Sequence, residues 1–491
     1  MMKVIKSKLN KRIALVLLAS GIALGGLTGC SNSEKIVDAS KYEFVLDNLS
    51  NMKDSKVQDY VNKIPFSDLS FRESTYNTIE NLSYKDYVLE HNFYELSSLD
   101  LISVSNFKDL ELFPNINLLT LDDCSVNDYG NFNNRNIGVL TIKNMDIDCS
   151  KLVNLDIKNI TFDHCNLTNQ EELQKLNLDS ICVSYTKLDN IDFLNGMSHL
   201  KSVELDNTNV GDYSSLANLK LDRLTISLCQ VNDFDFLKDM KSLKNLNLSY
   251  TNFCDASVLS GLKKLTDLDI SYTFVDDISS LKELNKLENL NIDSCKKVDD
   301  YSDIGSLGAD SINKTNLEMD YNNDISDKIK KIYNSIGITD DMSDEEKVRM
   351  ISIAVLKIMK YDYNNVNGTS YYNDNELKSA SDGLGICSSY SGLTTALLDL
   401  AGINNYSLQG ECVLDNSSML HRWNIVEIDG KWVGLDTTFL DDDSINGEEK
   451  LEDGKDSIYY LDDLNSAEWE KYHYPYAMPD IGTTYDYNLA R

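Results

Sequence analysis

The sequence predicts a multi-domain protein in which a solenoid of parallel β-strands is followed by an α+β domain. Three observations support this prediction: an aliphatic pattern that recurs every 20 to 22 residues, a change of periodicity after about Asp300, and helix and hairpin signals between residues 340 and 475. A chain of 491 residues, 42% of them hydrophobic, is long enough for two or three domains with their own cores.

The amino terminus has the features of an export signal. Residues 1–29 combine a basic segment with an apolar stretch that is short for a membrane-spanning helix, which predicts a signal peptide. It ends in Leu27-Thr28-Gly29-Cys30, which resembles the lipobox of bacterial lipoproteins. The resemblance implies a lipid-modified Cys30 at the extracytoplasmic face of a bacterial cell membrane, with residues 30–44 as a tether. A plain secretory signal, in which Cys30 falls there by chance, is the alternative.

The charge of the chain excludes one class of partner. Asp and Glu number 79 against 46 Lys and Arg, giving a formal net charge of -33. Nucleic-acid binding needs clustered basic side chains to contact phosphates, so we expect no nucleic-acid partner. No later segment is long and apolar enough for a transmembrane helix, so membrane attachment is expected through the lipid alone.

Internal similarity predicts the solenoid. The segments LTLDDCSV (119–126) and LNLSYTNF (246–253) are two of nine units that share one pattern. Each unit offers a short strand with two inward aliphatic positions, which only stacking on its neighbours can bury. We therefore expect residues 119–300 to form the solenoid and residues 45–118, with weaker versions of the pattern, to cap it. The sixth residues of the units, here called the ladder positions, are Cys124, Met145, Cys165, Thr186, Thr208, Cys229, Thr251, Thr273 and Cys295.

The repeat unit resembles a known family. The pattern L-x-L-x-x-(C/T)-x-V followed by D-x-S-S-L, as at residues 277–281, resembles the short bacterial leucine-rich repeat of internalin-like surface proteins. The resemblance implies parallel strands on a concave face and small polar side chains that satisfy the backbone where it turns inward at the ladder positions.

The predicted concave face is polar and acidic. Tyr185, Tyr250 and Tyr272 fall at one equivalent position beside it. A protein or glycan ligand is one interpretation of such a surface, and ordinary solvated strand residues are the other. The outward strand residues are Glu204, Asp206, Thr225, Ser227, Asn247, Ser249, Asp269, Ser271, Asn291 and Asp293.

The ten cysteines do not predict a disulfide framework. Cys124, Cys165, Cys229 and Cys295 occupy ladder positions and are expected to be buried thiols. The sequence contains no CxxC or HExxH motif, and its cysteines do not cluster. We therefore predict no metal site and no cofactor.

Two helices are predicted after a Gly-, Ser-, Asp- and Asn-rich linker over residues 301–339. Ser343 and Glu346 form a capping-box signal for the first helix, whose apolar stripe predicts an end near Tyr361. The second helix is predicted to end at Gly402. Cys387 falls in its first turn, where unpaired backbone N–H groups and the helix dipole favour a thiolate.

A hairpin is predicted in HRWNIVEIDGKWVGLDTTF, residues 421–439. Asp429-Gly430 between two apolar, alternating runs predicts a two-residue type I′ turn, which pairs Ile428 with Lys431. Extended outward, this register sets His421 opposite Thr438 and Trp423 opposite Asp436. His421 and Asp436 then lie on one face as diagonal neighbours, about 7 Å apart at the backbone.

Cys387, His421 and Asp436 together have the composition of a thiol–imidazole–carboxylate catalytic set. A buried core thiol is the alternative for Cys387 considered alone. The five histidines narrow the choice of base, because His91, His164 and His199 belong to the repeat region. We predict that His473, in EKYHYPY, is a structural surface residue.

The motifs of this domain resemble those of the transglutaminase-like superfamily of papain-fold cysteine enzymes. They are G-x-C-x-x-Y-S opening a helix, H-x-W-N-x-V, and D-G-x-W-x-x-L-D-T-T, within residues 340–491. The resemblance implies that Cys387 is the nucleophile, His421 the general acid/base and Asp436 the orienting carboxylate. The family's transition-state stabilising side chain is not assigned; Tyr361 and Tyr363 are the candidates.

The resemblance implies acyl transfer on a protein or peptide amide through a thioester at Cys387. Water as the acceptor gives a peptidase or amidase, and a lysine amine gives a transglutaminase crosslink. The predicted function is therefore a lipid-anchored surface enzyme whose repeats bind a partner. The alternative is a non-catalytic surface binding protein, an adhesin whose papain-like domain is a scaffold.

Overall fold

The fold is known from a computed structural model of the chain. It describes residues 55–83, 85–90, 96–126, 129–132, 137–208, 210–293, 295, 311–313, 323–362, 383–414, 417–441, 447–454, 459–470, 472–479 and 481. The predicted signal peptide, Cys30 and the tether lie outside the described residues. Within the described ranges, no helix is both long and apolar enough to cross a membrane.

The described residues divide into two compact units, and the division falls inside the repeats. The amino-terminal unit contains the described residues up to Val210 together with residues 218–223. The carboxy-terminal unit contains residues 211–217 and the described residues from Leu224 onward.

The amino-terminal unit begins with three helices, α1 (Ser55–Val61), α2 (Leu69–Asn81) and α3 (Lys85–Glu90). Asp68 caps α2 by accepting a hydrogen bond from the backbone N–H of Phe71. The repeat strands then pair in parallel in chain order, with Leu99 beside Leu119 at the first pair. The strands of this sheet are β1 (Ser98–Ile102), β2 (Leu118–Asp122), β3 (Ile137–Lys143), β5 (Ile157–Asp163), β7 (Ser180–Ser184) and β8 (Ser202–Asp206), whereas β4 (Asp146–Asp148) and β6 (Asn166–Thr168) pair with each other in a separate two-stranded sheet.

Short 3₁₀ helices alternate with the repeat strands, which makes each repeat a strand, a turn and a return segment. Alternation along the strands directs two apolar side chains inward, and both are buried in every described repeat strand of this unit that follows the predicted pattern. The 3₁₀ helices here are Lys108–Leu112, Gly130–Phe132, Cys149–Lys151, Gln170–Lys175 and Asp192–Leu194.

The ladder positions close each turn as predicted. The residue before the ladder position takes a left-handed backbone conformation, with φ of 47° at Tyr185 and 56° at Tyr250. The ladder side chains are buried, and several of them donate to a nearby backbone carbonyl, as Thr251 Oγ1 does to Leu248 O at 2.6 Å. The four ladder cysteines are buried free thiols, which confirms that prediction.

The carboxy-terminal unit contains the later repeats, whose outward polar side chains bond to one another. Asp267 accepts hydrogen bonds from Asn245 and Asn289, each at 2.6 Å. Ser249 and Ser271 were predicted to face outward and are buried, because each lies where the backbone begins its inward turn. The strands are β9 (Arg223–Ser227), β10 (Asn245–Asn247), β11 (Asp267–Asp269), β12 (Asn289–Asn291) and β13 (Ser311–Asn313); the 3₁₀ helices are Ser214–Leu216, Asp235–Asp239, Ala256–Leu259 and Ser279–Glu283.

The chain after the repeats forms an α+β arrangement with a five-stranded antiparallel sheet in the order β19-β18-β17-β16-β20. Its helices are α4 (Asn323–Ile336), α5 (Asp344–Ile358), α6 (Cys387–Leu400), α7 (Thr437–Leu440), α8 (Gly447–Glu452) and α9 (Ala467–Glu470). Its strands are β14 (Lys360–Tyr361), β15 (Leu384–Gly385), β16 (Asn405–Leu414), β17 (Ser417–Ile428), β18 (Lys431–Leu435), β19 (Tyr460–Asp463) and β20 (Tyr474–Pro475).

The two predicted helices of this domain are present as α5 and α6. Ser343 and Glu346 form the predicted capping box at α5. That helix ends at Ile358, three residues before the predicted end, because the backbone is extended at Met359 and enters β14. Gly402, with φ of +72°, follows the end of α6 as expected for a left-handed helix terminus. The apolar face of α6 packs on β17, and α5 packs against α6 in the same core.

Candidate active site

The predicted hairpin is present with its predicted register at the turn. Ile428 pairs with Lys431, and Glu427 pairs with Trp432. Asp429 and Gly430 both have positive φ, of 51° and 75°, as a type I′ turn requires.

The strand pairing ends earlier than predicted, at Asn424 and Leu435. Asp436 therefore does not pair with Trp423; it is the N-cap residue of α7. Its Oδ1 accepts hydrogen bonds from the backbone N–H groups of Thr438 (3.0 Å) and Phe439 (3.1 Å). The helix thereby fixes one oxygen of the carboxylate and leaves Oδ2 for other donors.

Cys387 is the first residue of α6 and is 8% exposed. The chain just before it packs closely on α6, because a Cβ on Gly385 would lie 2.3 Å from the hydroxyl oxygen of Ser389. Gly385 pairs with Tyr361, one of the two candidates for the unassigned stabilising side chain. The other candidate, Tyr363, lies outside the described residues.

The structure brings Cys387, His421 and Asp436 together. His421 Nε2 lies 2.7 Å from Asp436 Oδ2, and the Cys387 thiol lies beside the His421 ring. His421 is 4% exposed and Asp436 is fully buried. Because Nε2 faces the carboxylate, Nδ1 is the ring nitrogen left for the thiol. This geometry can move a proton between Cys387 and His421 while Asp436 holds the ring.

The electrostatics of the pair favour a charged imidazole. Burial, the largest influence, lowers the pKa of His421, but the charge of Asp436 and hydrogen bonds to Asp436 and Cys387 raise it to about 10. Burial likewise acts to raise the pKa of Asp436, but His421 and His473 together hold it well below its usual range. The carboxylate is therefore ionised and the imidazole protonated at neutral pH.

Side-chain hydrogen bonds tie α6, which carries Cys387, to β17, which carries His421. Asn424 is fully buried, and its Nδ2 donates to Thr395 Oγ1 at 2.8 Å. The Ser391 hydroxyl donates to Trp423 O at 3.2 Å. The contacts of Asn424 and Ser391 thereby fix the helix against the strand.

The prediction for His473 was wrong, because this residue is fully buried. Its Nε2 lies 2.9 Å from Asp436 Oδ2, and its Nδ1 lies 3.1 Å from Trp469 O. Its ring stacks on the Trp469 indole, with centroids 3.7 Å apart. Burial lowers the pKa of His473, against the opposing effect of Asp436.

Two glycines inside strands allow the segments on either side of His473 to pack closely against the sheet. They are the sequence signal that could have predicted the burial of His473. A Cβ on Gly434 would lie 2.3 Å from the Trp469 ring, and a Cβ on Gly410 would lie 1.9 Å from Tyr474 O. A glycine inside a strand pattern often marks the close approach of another element. The elements that approach here are α9 and β20, which flank His473.

Among the described residues, one group of side chains has ligand atoms close enough together to hold a metal ion: His421, Asp436 and His473. The separations of 2.7 and 2.9 Å between their atoms are hydrogen-bond lengths. Ligands of a tetrahedral zinc ion, each about 2.0 to 2.1 Å from the metal, lie about 3.3 Å apart. The separations of these atoms therefore match hydrogen bonds better than coordination of a shared zinc ion.

Aromatic side chains of the repeats pack beside the strand that carries His421. Tyr250 and Tyr272 stack with centroids 4.2 Å apart. The guanidinium of Arg422 lies 4.9 Å from the centroid of the Tyr272 ring, and Phe274 meets Tyr406 edge-on. The later repeats and the domain with the candidate site thus share an interface inside the carboxy-terminal unit.

Comparisons with known proteins give similarity to repeat proteins. An internalin (InlF) from Listeria monocytogenes is 22% identical with a TM-score of 0.37, over 52% of this chain and 84% of its own. Internalin C2 from the same organism is 19% identical with a TM-score of 0.30, over 52% of this chain and 96% of its own. A structure described as a TGase is 20% identical with a TM-score of 0.21, over 25% of this chain and 34% of its own.

No protein-family model matches the chain, and no curated protein matches it. Because all of these TM-scores are below 0.5, the assignment of a leucine-rich-repeat-like solenoid rests on the parallel strand pairing and the ladder positions described above.

Proposed function

We propose that the carboxy-terminal domain is a cysteine-dependent acyl-transfer enzyme acting on protein or peptide amides. One observation carries the proposal: His421 contacts both the Asp436 carboxylate, at 2.7 Å, and Cys387 at the start of α6. A thiol, an imidazole and a buried carboxylate in series are the parts that activate a cysteine nucleophile.

The reaction follows from the positions of these groups. With its proton on His421, the Cys387 thiolate attacks the carbonyl carbon of an amide, and the protonated His421 donates that proton to the departing nitrogen. The amine or ammonia leaves, and a thioester to Cys387 remains. His421 then takes a proton from an incoming water or primary amine, which attacks the thioester and releases the thiol. Water yields a carboxylic acid, and an amine yields a new amide.

The repeats are proposed to bind a protein or glycan partner and so to bring substrate to the domain. The interface of Arg422 with Tyr272 supports this, since it places the strand of the catalytic base against the repeats. Lipid attachment at Cys30, on the outer face of a bacterial membrane, belongs to the same proposal and rests on the sequence of residues 27–30.

The first experiment is alkylation of the full-length chain with iodoacetamide at neutral pH, followed peptide by peptide with mass spectrometry. Two other cysteines serve as internal controls for the alkylation rate. Cys254 is an exposed thiol, and Cys412 is a buried thiol in the same domain as Cys387. Burial raises the pKa of Cys412. We expect Cys387 to react about tenfold faster than Cys254 because His421 is positioned to take the proton of its thiol as the sulfur attacks. We also expect His421→Ala to remove this advantage.

Equal labelling of Cys387 in the wild type and in His421→Ala would overturn the enzyme proposal and favour the non-catalytic adhesin. If Cys387 is activated, release of ammonia from a glutamine peptide separates the two reactions. Release that requires an added amine indicates a transglutaminase. Release in water alone indicates an amidase.

A further inference from the structure

We propose that His473 is a positioning residue for the catalytic carboxylate, donating from Nε2 to Asp436 Oδ2 opposite His421. The inference rests on the proposed function and adds a fourth residue to its machinery. Asp436 Oδ2 lies 2.7 Å from His421 Nε2 and 2.9 Å from His473 Nε2. Both imidazoles therefore meet the same oxygen.

The hydrogen-bond chemistry fixes which nitrogen of His473 carries the proton. A neutral imidazole has one N–H, and His473 faces two acceptors: the ionised Asp436 carboxylate at Nε2 and the neutral Trp469 carbonyl at Nδ1. A hydrogen bond to a charged acceptor is about twice as strong as one to a neutral acceptor. The Nε2–H tautomer is therefore favoured, and its proton points at Asp436.

The surroundings of His473 hold the ring rigidly in this orientation. Its ring stacks at 3.7 Å on Trp469, whose indole packs over Gly434. The strand that follows it, β20, lies against Gly410, the residue paired with His421 on β17. The segments on both sides of His473 are thus packed against the sheet that carries the catalytic base.

The Asp436 carboxylate therefore accepts four hydrogen bonds, and together they fix its orientation. Two backbone N–H groups of α7 hold Oδ1, and two imidazoles hold Oδ2. A carboxylate that turned about its Cβ–Cγ bond toward His421 would break the contact with His473. This arrangement holds Oδ2 where the His421 ring needs it, and so keeps the His421 Nδ1 aimed at Cys387.

The test uses two amide side chains that mimic the two ring nitrogens. In His473→Gln the side-chain amide reaches the place of Nε2, and in His473→Asn it reaches the place of Nδ1. Both variants are neutral, polar and smaller than histidine, so a purely structural role would affect them similarly. We expect His473→Gln to keep the alkylation rate of Cys387 within about twofold of wild type, and His473→Asn to lower it about tenfold. Equal rates in the two variants would overturn the proposal.

A second measurement on the wild type does not depend on the variants folding. Selective ¹⁵N labelling of the imidazoles gives signals from only five histidines, and nuclear Overhauser contacts with the stacked Trp469 ring identify those of His473 in the wild type. We expect Nε2 to be protonated and Nδ1 to be bare at neutral pH. The reverse tautomer, with Nδ1–H bonded to the Trp469 carbonyl, would exclude donation to Asp436.

The two proposals fail in different ways. An unactivated Cys387 in the wild type would overturn the acyl-transfer function, whereas the NMR measurement would still report on the bond between His473 and Asp436. An activated Cys387 with equal rates in the Gln and Asn variants would leave the function standing and reject the role of His473.

Discussion

Two buried cysteines show how the repeats and the carboxy-terminal domain differ. Cys295, at a ladder position, is fully buried, and its Sγ donates to the Ile270 carbonyl at 3.0 Å. Burial raises the pKa of the Cys295 thiol to about 12, so it stays protonated. Cys387 is nearly as buried, yet it lies at a helix start and contacts a protonated imidazole.

The two regions differ in the hydrogen-bond partners of their buried polar groups. In the repeats, ladder hydroxyl and thiol groups donate to backbone carbonyls, which every repeat supplies. In the domain, buried polar side chains bond to other side chains from separate elements, such as His421 and His473 with Asp436. A repeated backbone contact tolerates substitution, whereas a cluster of titratable side chains depends on every member.

The largest expected effect comes from removing Asp436. In Asp436→Ala, two imidazoles and two backbone N–H groups lose their acceptor inside the core. We expect the free energy of unfolding of the domain to fall by about 4 kcal/mol. All three tryptophans, Trp423, Trp432 and Trp469, lie in this domain, so tryptophan fluorescence in urea follows its unfolding selectively.

The matched control is Asp269→Ala in the repeats. Asp269 accepts hydrogen bonds from Ser271 and Asn291 but is half-buried, so water can replace the carboxylate. We expect this control to cost at most about 1.5 kcal/mol, measured by circular dichroism. Similar losses for the two variants would contradict the distinction between the regions.

The next effect is a pH dependence specific to the domain. The pKa of His421 is raised from 6.5 to about 10, so its contribution to stability is complete below 6.5 and is lost as pH rises through 10. The pKa of Asp436 is lowered, so its contribution is present above about 4 and is lost as pH falls below that. The thermal midpoint followed by tryptophan fluorescence should therefore fall from neutral pH to about pH 10.

The control for this pH dependence is His421→Gln, which cannot titrate. Its midpoint should fall less over the alkaline range than that of the wild type. Parallel curves for the two proteins would show that other groups cause the decline.

The smallest effect is expected at a ladder position. Cys165→Thr should change the free energy of unfolding by less than about 1 kcal/mol, because Thr186 at the next ladder position donates to the carbonyl two residues earlier, as Cys165 does. Urea denaturation followed by circular dichroism measures the change. Cys165→Asp, which buries a carboxylate there, is the control and should be clearly destabilising. A loss above about 2 kcal/mol for Cys165→Thr would contradict the tolerance of the ladder.

Much of the fold could be predicted from the sequence because its signals are local. The nine-unit period located the strands and the buried ladder positions. Ser343 and Glu346 marked the start of α5, and Asp429-Gly430 set the hairpin register. Each signal arises within a few residues, where backbone preference and side-chain spacing act directly.

The parts that were wrong involve contacts between distant segments. Alternation along β18 placed Asp436 opposite Trp423, but the chain leaves the sheet at Leu435 to begin α7. No spacing rule connects Asp436 with His473, which lies 37 residues later and was taken for a surface residue.

The sequence by itself determined the order of repeats and domain, the phase of the ladder positions, and the identity of Cys387, His421 and Asp436 as a candidate set. Only the tertiary structure decided that His473 meets Asp436 and that Arg422 meets Tyr272. The physical reason is that periodicity and capping follow from local backbone geometry. The contacts of buried side chains depend on how separate elements pack, and interior glycines such as Gly410 and Gly434 set that packing here.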